Sequence, residues 1–177
     1  MPEEQQGKFR LVIHPNLFYN EAVSSLKKIA RHLIDKGYTL ATAESCTGGL
    51  LAHRLTNVSG SSTYFMGGLV AYHNDVKTLW LNIPAKLLQQ HGAVSAPVAE
   101  QMARHVRRMF QTDYGIGITG IAGPGGGTRQ KPVGLVYIAV TSKQGTTTRK
   151  SFFQGTRLQI KKQSVDAALK LLSSRFG

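Results

Sequence analysis

The sequence predicts an α/β fold in which a layered sheet mixes parallel and antiparallel strands. Strand-like apolar runs alternate with amphipathic, helix-like segments along most of the chain, the pattern of a sheet with crossover helices. Two further strand-like runs follow each other across the turn 143–145, which predicts a hairpin and makes the sheet mixed. At 177 residues, 41% hydrophobic and 18% charged, the chain can form one globular domain with its own core.

The predicted helices are recognised by apolar residues at helical spacing and by signals at their ends. The first covers 20–36, with Asn20 as its N-cap and Gly37 as its stop. Pro97 marks the first turn of a long amphipathic helix, 96–111. The other predicted helices cover 48–56, 75–81, 84–91 and 157–176.

The predicted strands are short apolar runs bounded by turn residues. In the second of them, Gly67 and Gly68 indicate a bulge or the close approach of another part of the chain. A glycine- and proline-rich loop is expected over 120–132. The strands cover 38–43, 64–72, 114–119, 133–141 and 146–153.

The N-terminal residues 1–15 lack clear periodicity, so we expect a flexible arm followed by a single domain over 16–177. The polar start carries no signal pattern and no apolar run approaches the roughly 18 residues of a membrane span, which predicts a cytoplasmic protein. A single cysteine, Cys46, excludes an internal disulfide and a cysteine-rich zinc site. The net charge of +13 indicates an anionic partner, nucleic acid or a phosphorylated small molecule, unless it serves solubility alone.

The segment most informative about function is Thr42-Ala43-Glu44-Ser45-Cys46-Thr47-Gly48-Gly49, where a strand-like run ends at a serine and a helix-like pattern follows. Such a strand-to-helix turn exposes the serine hydroxyl at the sheet edge, so Ser45 is the candidate nucleophile. The turn also aims backbone N–H groups at an anion, and those of Cys46, Thr47 and Gly48 are candidate oxyanion donors. We interpret the Cys46 side chain as a packing residue, because no histidine partner is evident.

A serine nucleophile needs a base to remove its proton. Among the six histidines, only His73, at the end of a predicted strand, has a setting that suggests a role at a site. A lysine can also serve if its pKa falls from about 10.4 toward 7–8. Lys77 follows the predicted strand 64–72 and reaches the same sheet end as Ser45 if the two strands are neighbours. Tyr72 would then relay a proton or orient Lys77, whereas the alternative interpretation of Lys77 is a solvated surface lysine.

Two further segments suit an anionic ligand. The glycine-rich stretch 117–128 can bring backbone N–H groups onto a phosphate or carboxylate, although it fits neither the Rossmann nor the P-loop pattern and a plain surface loop is the alternative. Thr119, at its strand end, can donate a hydrogen bond to a substrate. Basic residues at the start of the last predicted helix form another candidate anion site or a solvated basic face. They are Arg157, Lys161 and Lys162.

Six motifs occur in a fixed order along the chain. They are 42–49 as quoted above, Gly60-Ser61-Ser62, Tyr72-x-Asn74-x-x-Lys77, His91-Gly92-Ala93-Val94-Ser95, Gly120-Ile121-Ala122-Gly123-Pro124 and Lys131-Pro132-Val133-Gly134. Together they closely resemble the CinA C-terminal domain family, whose enzymatically active members are nicotinamide-nucleotide amidases. The resemblance implies a three-layer α/β/α fold with a mixed, mostly parallel five-stranded sheet. It also implies hydrolysis of the carboxamide of nicotinamide mononucleotide (NMN) to nicotinate mononucleotide and ammonia, with neither metal nor cofactor.

The resemblance assigns roles residue by residue. Ser45 matches the nucleophile, Lys77 its base and Tyr72 the assisting hydroxyl. The residues expected to contact the substrate, including its 5′-phosphate, are Thr119, Gly123, Gly125, Arg157 and Asn74. The resemblance further implies a homo-oligomer, a dimer or higher, in a stand-alone form without the N-terminal domain of larger relatives. Neither a membrane nor nucleic acid is expected as a partner.

Departures from the family pattern concern substrate affinity. Thr156 stands where relatives often carry an acidic residue, Lys161 where arginine is common, and Asp75-Val76 where Glu-Ala is frequent. Two other functions stay open. One is a non-catalytic nucleotide- or nucleic-acid-binding module, favoured by the basic charge but without an aromatic–basic array for base stacking. The other is a Ser/Lys amidase or esterase that acts on another substrate.

Overall fold

The computed structural model describes residues 16–176, with side chains from residue 25 onward. The arm predicted over 1–15 lies outside the described residues. A 3-10 turn at Ser61–Thr63 precedes the second strand. In chain order the elements are α1 (Asn16–Lys36), β1 (Leu40–Glu44), α2 (Leu50–Thr56), β2 (Phe65–Val70), α3 (Asn74–Leu79), α4 (Ala85–His91), α5 (Ala96–Met109), β3 (Tyr114–Gly120), β4 (Leu135–Ser142), β5 (Gly145–Phe152) and α6 (Arg157–Ser173).

The strands form one five-stranded sheet in the order β2-β1-β3-β4-β5. β1 pairs in parallel with β2 on one side and with β3 on the other. β4 is antiparallel to β3, and β5 is antiparallel to β4. The mixed α/β sheet predicted from the sequence is therefore confirmed. Four of the strands run in one direction, although the neighbouring pairs divide equally between parallel and antiparallel.

Helices cover both faces of the sheet and make three layers. Alternate residues of a strand point to opposite faces, so Leu40 of β1 packs with α1, α2 and α6, whereas Ala41 and Ala43 face α5. α5 lies against β3 so closely that a Cβ on Gly117 would stand 2.3 Å from the Ala99 carbonyl oxygen. Small residues on that face of β1 and β3 therefore allow helix backbone to rest directly on the sheet.

The ends of several elements differ from the prediction by a few residues. α1 begins at Asn16, so Asn20 lies inside the helix and does not cap it. α2 begins at Leu50 and not at residue 48, because Gly48 and Gly49 adopt left-handed φ angles of +61° and +90°. β2 ends at Val70, which leaves Tyr72 in the following loop.

β1 lies at the centre of the parallel part of the sheet. From its carboxyl end the chain turns to β2 on one side, and it later returns through α5 to β3 on the other. The crevice at such a reversal of strand order is where α/β sheets bind ligands. The segments after β1, β2 and β3 meet at this edge of the sheet. None of the helices within 16–176 is long and apolar enough to cross a membrane.

Candidate active site

A cavity of about 280 Å³ opens at the carboxyl edge of the three parallel strands. Its wall combines the turn after β1, the loop and helix after β2, the glycine-rich loop after β3 and the first residue of α6. The structure thus brings together nine of the residues predicted for the site. They are Ser45, Cys46, Tyr72, Asn74, Lys77, Thr119, Gly123, Gly125 and Arg157.

Backbone hydrogen bonds place Ser45 at this edge. The Ser45 amide donates to the Ile118 carbonyl oxygen of β3 at 2.9 Å, which extends the strand pairing one residue past β1. On the other side, the Ala71 amide donates to the Glu44 carbonyl oxygen at 2.8 Å. Ser45 is 9% exposed. Its position is therefore set by the sheet and not by a flexible loop.

The side chain of Glu44 holds the turn that carries Ser45. It is 1% exposed, and its carboxylate accepts hydrogen bonds from the amides of Gly49 at 3.1 Å, Leu51 at 3.0 Å and Ala52 at 2.8 Å. A carboxylate at the start of a helix is favoured by the helix dipole and by the unpaired amides there. This role was not predicted, although a glutamate that ends an apolar strand just before a helix is a usable signal.

Hydrogen bonds within the turn limit which amides can stabilise an oxyanion. The Gly48 amide donates to the Ser45 carbonyl oxygen at 3.1 Å, so Gly48 shapes the turn and does not offer the free donor that we predicted. Within the described part of the chain, no hydrogen bond engages the amides of Cys46 and Thr47. These two amides remain the candidate oxyanion donors.

Lys77 is a buried lysine on α3 that is 1% exposed. Its Nζ donates to the carbonyl oxygens of Ala71 at 2.8 Å and Tyr72 at 3.3 Å, and none of the carboxylates that the structure describes forms an ion pair with it. Burial lowers the pKa of Lys77 below its usual value, because it penalises the charged amine. The surroundings thus favour the neutral form that a general base requires.

Tyr72 is connected to the site in a different way from the one predicted. Its hydroxyl accepts a hydrogen bond from Arg157 at 2.5 Å, while only its carbonyl oxygen contacts Lys77. A second nitrogen of Arg157 donates to the Gly123 carbonyl oxygen, also at 2.5 Å. Arg157 therefore joins the loop after β2 to the glycine-rich loop, and the Tyr72 hydroxyl is oriented by a cation.

The glycine-rich loop is held by its neighbours. Thr119 is buried and its hydroxyl donates to the Ala93 carbonyl oxygen at 2.8 Å, so toward the cavity it presents an acceptor and not the donor that we predicted. At the far end of the loop, the Lys131 amine donates to the carbonyl oxygens of His91 at 2.6 Å and Val94 at 2.8 Å. The sequence shows Lys131 only as part of a motif. It does not predict this bridging role, because the partners of Lys131 are about 40 residues away in sequence.

The remaining candidates lie around the cavity. His73 is exposed and caps α3 by accepting a hydrogen bond from the Asp75 amide at 3.3 Å; it is absent from the described cavity wall. The Cys46 thiol packs in the core, and this burial raises its pKa to about 12. The thiol is therefore protonated at neutral pH. The Lys161 amine lies 3.4 Å from the position that a Cβ on Gly48 would occupy, next to the turn that carries Ser45. Lys162 lines a separate cleft with Gln154 and Gln163.

Metal chemistry has no candidate ligand set within the described residues. No group of three histidine, cysteine, aspartate or glutamate side chains in this part of the chain is placed to hold a metal ion. The titratable groups of the cavity wall are instead a lysine, a tyrosine, an arginine and a buried thiol. This composition suits acid–base and nucleophilic chemistry on an anionic ligand.

Comparison with known proteins places the chain beside CinA-like and competence-damage inducible proteins. The family model of the CinA C-terminal domain matches residues 23–176. A Moorella thermoacetica protein named for competence-damage induction is 53% identical over 86% of this chain and 36% of its own length. A CinA-like protein of Koribacter versatilis is 49% identical over 86% of this chain and 37% of its own length. The chain thus spans about a third of the length of these curated relatives.

Solved structures share the whole architecture. The competence/damage inducible protein CihA from Agrobacterium tumefaciens superposes with a TM-score of 0.85 at 36% sequence identity, covering 87% of this chain and 94% of that one. The three-layer arrangement and its five-stranded sheet are therefore those of a known protein family.

Proposed function

The chain belongs to the CinA C-terminal domain family, and we propose that it is a nicotinamide-nucleotide amidase that hydrolyses NMN to nicotinate mononucleotide and ammonia. The observation that carries the proposal is a lysine amine, buried and without a carboxylate partner among the described residues, that lines the same cavity as Ser45. A pKa lowered by burial gives Lys77 the property that a base for a serine nucleophile needs.

In the proposed reaction the Ser45 hydroxyl attacks the carbonyl carbon of the carboxamide. Neutral Lys77 takes the hydroxyl proton as the bond forms, and the carbonyl oxygen becomes an oxyanion facing the amides of Cys46 and Thr47. The Ala71 and Tyr72 carbonyl oxygens hold two N–H groups of the resulting ammonium. The third N–H carries the proton that must move next.

Collapse of this intermediate breaks the C–N bond. Lys77 returns its proton to the leaving nitrogen, so ammonia departs and an ester joins the substrate acyl group to Ser45. Water then attacks the ester while Lys77 takes one of its protons. Lys77 passes that proton to the Ser45 oxygen as the ester breaks, which releases nicotinate mononucleotide and regenerates both side chains.

The proposal assigns the nucleotide part of the substrate to the opposite wall. Arg157 is already fixed by the Tyr72 hydroxyl and the Gly123 carbonyl oxygen, which leaves N–H groups of its guanidinium for a phosphate. The Lys161 amine, beside Gly48, adds a second cation. Thr119 presents a hydroxyl oxygen that can accept a hydrogen bond from the substrate.

Comparing NMN with nicotinamide riboside tests the substrate assignment, since the two differ only in the phosphate. We expect the purified protein to release ammonia from NMN with a kcat/KM at least about tenfold higher than from the riboside, because a charge-assisted bond to Arg157 is lost. Arg157→Lys keeps the charge and loses the planar fork, so it should raise the KM for NMN. Lys162→Ala removes a cation from the adjacent cleft and serves as the matched control.

Each other outcome selects a different function. Equal turnover of both compounds would remove the phosphate from the substrate assignment and leave a Ser/Lys amidase on another compound. A folded protein that hydrolyses neither compound would contradict the amidase proposal and favour the non-catalytic binding module.

A further inference from the structure

A second cleft, of about 530 Å³, lies at the edge of the sheet opposite the catalytic cavity. It is formed by the last turns of α5 and by the tip of the β4–β5 hairpin, where Ser142 pairs with Gly145. In the sheet register, Gly115 at the start of β3 faces Thr141, whereas Gly120 at the cavity end faces Val136. The length of β3 separates the two sites by roughly 20 Å.

Three arginines of α5 line this cleft, and each is held in place by a neighbour. The Arg104 Nε donates to the Thr146 hydroxyl at 3.1 Å, and the Arg107 Nε donates to the Asp113 carbonyl oxygen at 3.0 Å. One terminal nitrogen of Arg108 lies 3.0 Å from the His105 Nε2. Anchoring Arg104 and Arg107 through Nε leaves their terminal nitrogens as preformed forks, the geometry that binds phosphate in a bidentate manner.

Little negative charge balances these arginines within the described residues. Glu100 is the nearest carboxylate, at 3.9 Å from Arg104, and it also accepts a hydrogen bond from Thr148. The Asp113 carboxylate is occupied by the amide and hydroxyl of Thr39. Burial and the positive charge of Arg108 both lower the pKa of His105. Three arginines with one carboxylate nearby therefore leave a net positive potential at the cleft, without a charge on His105.

We propose that the cleft between α5 and the β4–β5 hairpin is a second anion site, which binds phosphate groups. The remaining lining is polar, with hydroxyls from Thr141 and Ser142, and among the described residues no aromatic or aliphatic side chain lines the cleft. The forks of Arg104 and Arg107 therefore favour phosphate as the recognised group. Free polyphosphates and a nucleic-acid backbone offer the same group, and titration with one compound of each class distinguishes them. The inference is independent of the amidase proposal.

Titrations with inorganic pyrophosphate and with a short single-stranded oligonucleotide test the site in the whole protein. The His105 ring protons, followed by NMR, report binding locally, because an anion at Arg108 raises the pKa of His105 whereas an anion at Arg157 does not. In Arg104→Ala/Arg107→Ala we expect at least about tenfold weaker affinity. Arg104→Lys/Arg107→Lys, which keeps the charge and the fold but loses the forks, should also bind more weakly.

A charge-matched control separates a site from general attraction. Lys27→Ala/Lys28→Ala removes the same charge from the exposed face of α1 and should change affinity by no more than about twofold. Binding of pyrophosphate would identify polyphosphates as ligands, and binding of the oligonucleotide alone would identify a nucleic-acid backbone; both support the site. Equal losses in the control, or no shift of His105 with either compound, would overturn it. Turnover of NMN should be unchanged in the arginine variants.

Discussion

At the scale of single residues, burial determines what Lys77 can do. An exposed lysine is protonated at neutral pH and cannot accept the proton of a serine. The surroundings of Lys77 satisfy two of its N–H groups with carbonyl oxygens and supply no carboxylate among the described residues that would favour its charge. The two carbonyl oxygens also fix the direction in which the lone pair of the neutral amine points. Burial thus gives the proposed base its neutral form, although lysine is usually a surface cation.

The pH dependence of the proposed reaction follows from Lys77. Because only the neutral amine accepts the proton, kcat/KM should rise with pH and level off above the pKa of Lys77 in the free enzyme. Burial lowers this pKa, so the midpoint should lie below the usual 10.5. A pH–rate profile for NMN hydrolysis measures it. A midpoint at or above 10.5 would contradict the effect of burial on Lys77, and Lys77→Arg, which stays charged, should be inactive throughout.

The residues of the site differ in how far the sequence predicts them. Ser45 and Lys77 follow strand-like runs, so their meeting required only that β1 and β2 be neighbours, and they are. The pairing of Tyr72 with Arg157 joins positions 85 residues apart, and no local pattern encodes it. The direction of the Thr119 hydrogen bond likewise depends on Ala93, a residue of a different loop.

At the scale of elements, the turn between β1 and α2 is the unit that presents Ser45, the proposed nucleophile. Glu44 connects its two halves, since its backbone pairs with β2 and its carboxylate binds the first turn of α2. The glycines Gly48 and Gly49 supply the left-handed backbone that lets the chain reverse. The position of Ser45 thus depends on a buried charge that makes no contact with the substrate in the proposed reaction.

Replacing Glu44 with glutamine tests this dependence. Glutamine has the same shape, but it presents one acceptor oxygen to three amides and loses the charge, so we expect the free energy of unfolding to fall by about 1–3 kcal/mol. The turn should also loosen, which lowers kcat more than it raises KM. Glu100→Gln removes a carboxylate from the opposite face of the sheet and is the control. Wild-type kcat in a folded Glu44→Gln protein would show that the carboxylate does not position Ser45.

The ends of the elements show why sequence patterns are less accurate at this scale. Hydrophobic periodicity located each helix and strand within 16–176, because it reports which residues face the core. It extended β2 to Tyr72 and α2 back to Gly48, because side-chain type does not reveal where backbone pairing stops or where glycine turns left-handed. These two ends lie at the site, whereas the start of α1 at Asn16, four residues before the predicted one, lies elsewhere.

At the scale of the whole molecule, the fold class followed from alternating strand and helix patterns, whereas the strand order did not. The order β2-β1-β3-β4-β5 depends on which side of β1 each crossover reaches, and no single segment contains that information. The net charge of +13 is a property of the whole chain and does not tell where its cations lie. Arginines in fact occur at both edges of the sheet, at the cavity and at the α5 cleft.

The charge of the molecule predicts how salt affects the proposed enzyme. A net charge of +13 attracts an anionic nucleotide over a distance that salt shortens, so kcat/KM for NMN should fall several-fold between about 50 mM and 500 mM NaCl. The chemical step takes place inside the cavity, so kcat should change little. Steady-state kinetics across this range measure both quantities. An equal fall in kcat and kcat/KM would point to loss of structure or of the site and would contradict a steering role for the charge.

Ammonia release from NMN by the wild-type protein, beside Ser45→Ala and Lys77→Ala, tests the central claim most directly. We expect turnover that a chelator does not reduce, formation of nicotinate mononucleotide, and losses of at least about 10²-fold in both variants. Cys46→Ser, which alters the neighbouring thiol, should retain activity within about tenfold. Turnover that survives Ser45→Ala in a correctly folded protein would contradict the serine–lysine account, whatever the substrate.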